Sequence, residues 1–391
     1  MSQITQQELK KKYFQTRTET IKLMEPLGVE DYLAQPSEEV SPPKWHLGHT
    51  TWFFETLVLK EYLSDYAIFN EKFPYYFNSY YEGLGERIDR NSRGTLIRPP
   101  LIEIFAYRTY VDEQMKLLFE SDLSSSSIDI IELGINHEQQ HQELFLTDFK
   151  KILAMQAFQP AYKEDFKENI KRVKQKEEWI EIKPDIYKIG HQGASFSFDN
   201  ERPRHKVYLD AFAISSNLVS NGDWLDFIEA GGYQDFQYWH SEGWDWLKNE
   251  NIKAPLYWFK KDKDWYRYSL AGPVKVDPQE SVAHISYYEA YAFAEWKGLR
   301  LPTEAEWEVA QEHFNWGERW EWTNSSYLAY PGFKAMAGPA KEYNGKFMVN
   351  QMVLKGASVA SASGHSRPTY RNFFHAHFKW QFTGLRLAKN R

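Results

Sequence analysis

Two hydrophobic rhythms share this chain, and a polypeptide that changes rhythm part-way is expected to build more than one layer pattern. Over roughly the first 158 residues, apolar positions return at helical spacing. In KWHLGHTTWFFETLVLKEYL the stripe runs through Trp45, Trp52, Phe53, Leu57, Val58 and Tyr62. Ser41-Pro42-Pro43 before it reads as a cap followed by prolines in a first turn, where a missing N–H costs little. The spacing predicts helices over about 5–24, 41–62 and 101–121, and a fourth that follows Ser127 as its cap and runs to about 155. Short connections between four such elements make a helical bundle. Beyond residue 180 the texture changes. Short apolar runs alternate with Gly, Pro, Asn and Asp, as in YKIGHQG, AGGYQD and FTGLRLA. One helix stands out there, over 286–298, ending at Gly298. The expected class is α+β in two domains: a bundle over 1–160, a charge-dense linker over 161–180, and an irregular α+β domain over 181–391.

The chain has 391 residues, with 54 acidic against 47 basic and a formal net charge of −7. A mildly acidic balance without a basic block argues against nucleic-acid binding, which needs concentrated Lys and Arg. No apolar run approaches the roughly 18 residues of a membrane span, so no membrane partner is expected. The polar start, MSQITQQELKKKY, does not read as a secretory signal, and a cytoplasmic protein is the expectation. Cysteine is absent. Disulfides, thiolate nucleophiles and zinc–thiolate or iron–sulfur sites are thereby excluded, and any metal falls to His and carboxylate. Aromatic residues make up 17 % of the chain. Large rings therefore build much of the core, and locally they can wall a pocket.

Asn136-His137-Glu138-Gln139-Gln140-His141 puts two histidines at i and i+4 of a predicted helix. They lie roughly 40° apart on one face, close enough to reach one ion. Two imidazoles without thiolates suit Fe, Zn, Cu or Ni. Glu143 would supply a local carboxylate, but it lies about 240° around the helix from His137. His49, on the 41–62 helix, converges with the pair if the helices face each other. The preferred set is His49, His137 and His141, with Glu143 supporting it from outside. His46 fits the same stripe as His49, and spacing alone does not choose between them. Three protein ligands leave open positions on octahedral iron, which suits binding of substrate and dioxygen together.

SPPKWHLGHTTWFFE, FNSYYEGLGERIDRNSRG and NHEQQHQE together resemble the DinB-like N-terminal bundle of the EgtB-type sulfoxide synthases of ergothioneine biosynthesis. FDNERPRHKVYLDAFAIS, VSNGDWLDFIEAGGY, ISYYEAYAFAEWKGLRLPTEAEWEVA, WEWTNSSYLAYPGF, KEYNGKFM and YRNFFHAHFKWQFTGLRLA resemble the formylglycine-generating-enzyme (sulfatase-modifying factor, C-type-lectin-like) domain that follows it in that family. The resemblance implies a non-haem Fe(II) enzyme that uses dioxygen to join a thiol sulfur to the imidazole of hercynine, giving a sulfoxide. It implies His49, His137 and His141 as iron ligands, settling His49 over His46. It implies hercynine contacts from Gln140 and Asn372, and an aromatic face for the trimethylammonium from Phe373, an attraction of about 0.5–2 kcal/mol. Arg87 and Arg90 resemble the family's arginines for the thiol's carboxylate, with Arg93 and Arg98 as further candidates.

Two departures from the family pattern bear on substrate and proton donor. Some members carry RNWD where this chain has Arg371-Asn372-Phe373-Phe374. Phe374 cannot hold the amine of γ-glutamyl-cysteine, so free cysteine is the implied thiol. A tyrosine that some members place before the EYS-like block falls near Ala340, leaving Tyr80 and Tyr81 as the implied proton donors. Without cysteine, the copper chemistry of a true formylglycine-generating enzyme is not available. Neighbouring readings are an ovothiol-type synthase acting on unmethylated histidine and a selenium variant forming a C–Se bond. From other classes, a DinB-like metal-dependent thiol transferase or hydrolase and a non-catalytic interaction protein are the rivals.

Overall fold

The computed structural model of the protein describes residues 4–79, 81, 83, 85–168, 170, 172–173, 178–336 and 343–391. The chain divides into two compact units. The first gathers Met1–Phe158, Gly193–Phe198 and Ala335–Lys346; the second gathers Gln159–Gln192, Asp199–Lys334 and Phe347–Arg391. Two short stretches from the later half of the sequence thus group with the helices.

The first unit is built on four helices. Helix α1, Gln6–Met24, begins at Thr5 with a capping box closed by Glu8, a device worth about 1 kcal/mol. It buries Leu9, Tyr13, Thr16, Arg17, Thr20 and Met24 along one stripe. Helix α2, Pro43–Phe54, starts on a proline in its first turn and is buried along its whole length. It then widens into one π-helical turn, Glu55–Leu59, before a last turn at Lys60–Tyr62. The Glu55 carboxylate within that turn is buried and accepts from Tyr66 Oη (2.7 Å), Tyr107 Oη (2.6 Å) and the Phe69 amide (3.0 Å). Helix α3 is Leu101–Leu118 and α4 is Ser125–Ala154, thirty residues long. The cap of α4 is Ser124 rather than the expected Ser127. The Ser124 hydroxyl accepts from the Ser127 amide, while the Ser127 hydroxyl turns back to the Ser124 carbonyl. In a run of four serines, composition alone does not pick the one that caps.

Two glycines set how closely these elements approach. A Cβ on Gly134 of α4 would lie 2.6 Å from the Phe54 ring, and one on Gly48 of α2 would lie 2.2 Å from the Phe77 ring. Phe77 ends a short helix, Phe73–Phe77.

The second unit is α+β with much irregular chain. Strands β1 (Trp179–Ile182), β4 (Phe212–Leu218) and β12 (Arg386–Asn390) form an antiparallel sheet in the order β1-β4-β12. Strands β2 (Asp185–Ile189) and β3 (His205–Leu209) pair as a ribbon. Strands β5 (Trp258–Lys261), β6 (Asp264–Ser269) and β7 (Gly272–Lys275) form a meander. The fourth sheet runs β10-β9-β8-β11, from β8 (Trp320–Ser326), β9 (Met352–Gly356), β10 (Asn372–Phe374) and β11 (Thr383–Gly384). Its core carries Trp307, Trp320 and Trp322, all buried. A fully buried Arg386–Glu321 pair sits there, with the Trp307 indole also donating to Glu321. The predicted helix near 286–298 is Tyr287–Trp296, capped by Ser286 with Glu289 closing a capping box. Gly298 follows it at φ +66°.

The stretch expected as a linker, 161–180, groups with the second unit. Tyr162 and Lys163 both donate to the Leu270 carbonyl, Val173 donates to Gln279, and Glu168 pairs with Arg267. At these residues the stretch is engaged with that surface, which a reading of composition as solvated spacer does not foresee. Among the described residues no helix is long and apolar enough to cross a membrane.

Candidate metal centre

Helices α2 and α4 pack together in the first unit, and their contact faces carry the histidines. His49, His137 and His141 each present a ring nitrogen such that the three lie within 4.8 Å of one another. His49 and His137 bring Nε2 to 3.1 Å from Nε2. Two donors each about 2.1 Å from one ion, at roughly 90–110°, stand about 3.0–3.4 Å apart. That pair therefore already has the spacing of neighbours on a shared ion. His46 lies outside the trio. Its Nδ1 faces His141 Nδ1 at 2.9 Å and its Nε2 faces Asp148 at 3.2 Å. Glu143 is buried on the same helix but is not part of the three-residue cluster.

The His49 ring is fixed from three sides. Its Nδ1 donates to the Phe77 carbonyl at 2.6 Å, which leaves the Nε2 lone pair for an ion. Trp45 stacks on it at 4.5 Å and 11°, and Trp52 lies at 5.5 Å and 17° beyond. Trp45, His49 and Trp52 fall at i, i+4 and i+7, the helical stripe that also puts them in one column. The Arg93 guanidinium caps that column 3.4 Å over Trp45 and donates to the Ser41 hydroxyl.

Burial decides the charge state of the cluster. It drives His49 and His141 well below the ordinary imidazole value, and His137 down to about 3. The three rings are neutral near pH 7, the form that ligates metal. His137 Nδ1 is buried without a hydrogen-bond partner among the described residues. An orphaned donor set in a sealed interior costs free energy unless something completes it. Three neutral imidazoles fit a first-row divalent ion such as iron, with positions left open.

The other residues expected at the site fall as follows. Gln140 is half-buried on α4, and the Tyr343 hydroxyl donates to its side-chain carbonyl. The Tyr343 ring stands edge-on to His137 at 5.8 Å and stacks on Phe198 at 5.4 Å. Tyr343 and Phe198 belong to the two short stretches that group with the helices. Neither was singled out from the sequence, although KEYNGKFM carries Tyr343; nothing in local pattern ties it to a helix some 200 residues away. Tyr81 is buried and reaches Trp52 at 5.7 Å, one ring outside His49. Tyr80 lies outside the described residues. Arg90 is exposed and donates to the carbonyls of Glu38 and Glu39, while Arg87 is half-buried. In the second unit, Asn372 and Phe373 lie on β10 opposite Leu354 and Val353. Phe373 stacks on Tyr327 at 4.0 Å, and Arg371 before them is locked by Glu304 and by the Asn200 and Leu328 carbonyls.

The DinB superfamily model matches residues 13–145, and the sulfatase-modifying factor enzyme 1-like domain matches residues 164–313. Hercynine oxygenase from Mycobacterium tuberculosis is 32 % identical over 240 residues, covering 49 % of this chain and 56 % of that protein. Hercynine oxygenase from Mycolicibacterium smegmatis is 31 % identical over 242 residues, covering 49 % and 56 %. The formylglycine-generating enzyme of Thermomonospora curvata is 31 % identical over 150 residues, covering 33 % and 48 %. The chain spans about half the length of the curated relatives it matches.

Proposed function

Built of a DinB superfamily domain followed by a sulfatase-modifying factor enzyme 1-like domain, the make-up of the EgtB-type proteins, this chain is, we propose, a non-haem iron, dioxygen-dependent sulfoxide synthase acting on hercynine and a thiol. The observation that carries this reading is the trio of buried, neutral imidazoles within reach of one ion. The likeness to mycobacterial hercynine oxygenases supports the imidazole betaine as substrate. The lack of cysteine removes the thiolate-based alternative that the second domain would otherwise suggest.

His49, His137 and His141 would hold Fe(II). Bound there, the ion supplies redox capacity and a common template for the reactants. The chain's own groups do the rest. Gln140 orients the betaine; Asn372 and Phe373, the latter stacked on Tyr327 within the second unit, are the further betaine contacts that the family resemblance implies. Tyr343 pins the Gln140 carboxamide, so that its amide end has a fixed aim. Arg87 binds the carboxylate of cysteine, joined by Arg90 through the N–H donors it does not give to Glu38 and Glu39. Tyr80 or Tyr81 delivers a proton from its hydroxyl. The tryptophan column about His49 keeps bulk water from the reacting groups. Overall, one dioxygen takes four electrons: two from making the C–S bond and two from the sulfur, which keeps one oxygen while the other leaves as water.

The test is anaerobic loading with Fe(II), hercynine and cysteine, followed by an oxygen pulse. The expected product has the mass of hercynine plus cysteine plus one oxygen less two hydrogens, at one dioxygen per product. No oxygen uptake with cysteine, γ-glutamyl-cysteine or a selenium donor would remove the reading. A strong preference for unmethylated histidine would replace hercynine as the acceptor.

A further inference from the structure

The imidazole of His46 does not join the trio, yet it is as deeply buried, at 2 % exposure. It is held between two partners. On one side, Asp148 Oδ2 lies 3.2 Å from its Nε2; on the other, His141 Nδ1 lies 2.9 Å from its Nδ1. Asp148 is 3 % exposed, and the same oxygen accepts from the Ser41 amide at 2.9 Å. Asp148 stands seven residues after His141, two turns along the same face of α4. His46 and Ser41 come from α2 and the turn before it.

We propose that Asp148 and His46 are positioning residues that set which nitrogen of His141 meets the metal. The inference rests on the metal-site reading above and adds the device that prepares one of its ligands. A carboxylate only accepts, so the hydrogen between Asp148 and His46 belongs to His46 Nε2. With its one ring hydrogen given to Asp148, His46 has a bare Nδ1, which can only accept. The hydrogen between the two rings therefore belongs to His141 Nδ1. His141 is left with its lone pair on Nε2, the nitrogen free of this contact. One carboxylate thus dictates the tautomer of a ring it does not touch, by way of a second ring. Metal-bound histidines commonly hand their other N–H to a carboxylate or carbonyl, which fixes ring orientation and raises ligand basicity. His49 does so directly with the Phe77 carbonyl. His141 does so at one remove, across the α2–α4 contact, and the relay ties the ligand to the turn where Ser41 leads into α2.

The first measurement needs no metal and no variant. The full chain is labelled with ¹⁵N-histidine, and long-range ¹H–¹⁵N correlation reads the tautomers in the metal-free state, with His46→Gln serving for assignment. The expected result is Nδ1–H on His141 and Nε2–H on His46. Nε2–H on His141, or fast averaging of its two forms, overturns the relay. The second measurement titrates Co(II) against a competing chelator. Asp148→Asn can offer an amide N–H to His46 and so permits the inverted relay. It is expected to weaken Co(II) about 10–100-fold and to alter the visible Co(II) absorption band, and unchanged affinity counts against the proposal. His137→Ala separates the two readings. If it leaves Co(II) binding intact, the metal site itself is wrong. If it abolishes binding while the wild-type tautomers are inverted, the metal site stands and the relay falls.

Discussion

Helix α4 carries two buried polar faces that solve the same problem in opposite ways. On one, Glu138 is fully enclosed, with Arg108 and Arg17 on its two oxygens and the Thr20 hydroxyl at 2.6 Å. Arg17 also holds Asp112, and Gln142 one turn on donates to Thr16 and Thr20. Burial raises the Glu138 carboxyl, but the two guanidiniums outweigh it and hold it near 2. On the other face, one residue away, His137 points at two more imidazoles, and its Nδ1 is orphaned among the described residues. The first face is complete within the protein, so it is scaffold. The second leaves a buried imidazole nitrogen unanswered among the described residues, which makes it the candidate site.

Four experiments break or sharpen that contrast. Glu138→Gln should remove about 3–5 kcal/mol of folding stability in urea unfolding, because buried Arg108 loses its carboxylate partner and Arg17 is left with Asp112 alone. A loss under 1 kcal/mol would mean the scaffold face is not a scaffold. Acid should separate the faces by pH. The histidines are depressed in the fold, so their contribution is whole above the unfolded value near 6.5 and drains away as pH falls toward 3. The slope approaches roughly 1.4 kcal/mol per pH unit for each ring kept neutral, and the first unit, from pH 6.5 to 5.5, removes about 3 kcal/mol for the three. Glu138 contributes fully above its unfolded value near 4.5 and loses this only as pH falls to about 2. Metal-free protein that keeps its stability between pH 6.5 and 5 would contradict the neutral trio. Next, His137→Ala should weaken Co(II) or Fe(II) binding at least about 100-fold, whereas Glu138→Gln, studied where it is folded, should leave metal affinity within about twofold of the parent. The smallest effect is expected from Tyr343→Phe, which removes one hydrogen bond to Gln140 and should raise KM for hercynine about fivefold, the worth of about 1 kcal/mol. A change in kcat with KM untouched would assign Tyr343 to the chemistry instead.

How far the sequence foretold this depended on the distance over which each signal acts. The i, i+4 spacing of His137 and His141 and the stripe bearing His49 are local, and the structure brings all three together. Choosing between His46 and His49 was not local. The two sit three residues apart on one stripe, and only the Phe77 carbonyl and Asp148 tell them apart. Asp148 could have been noticed as the i+7 partner of His141. Tyr343 and Phe198 could not, because neither has a periodic relation to α4. The expected role for Arg90 rested on resemblance, and what the structure shows of it, hydrogen bonds to the Glu38 and Glu39 carbonyls, is a task that spacing does not encode. The serine that caps α4 was misplaced by one turn within a run where every residue can cap.

Gly48 carries a consequence out of proportion to its size. The Phe77 ring lies where a side chain at position 48 would begin, and the next residue, His49, hands its Nδ1 hydrogen to the carbonyl of that same Phe77. A single methyl at 48 would wedge the short helix outward and take away the acceptor that orients a ligand. The centre could then be disabled with every histidine, arginine and tyrosine still in place, and a survey confined to functional side chains would find nothing amiss.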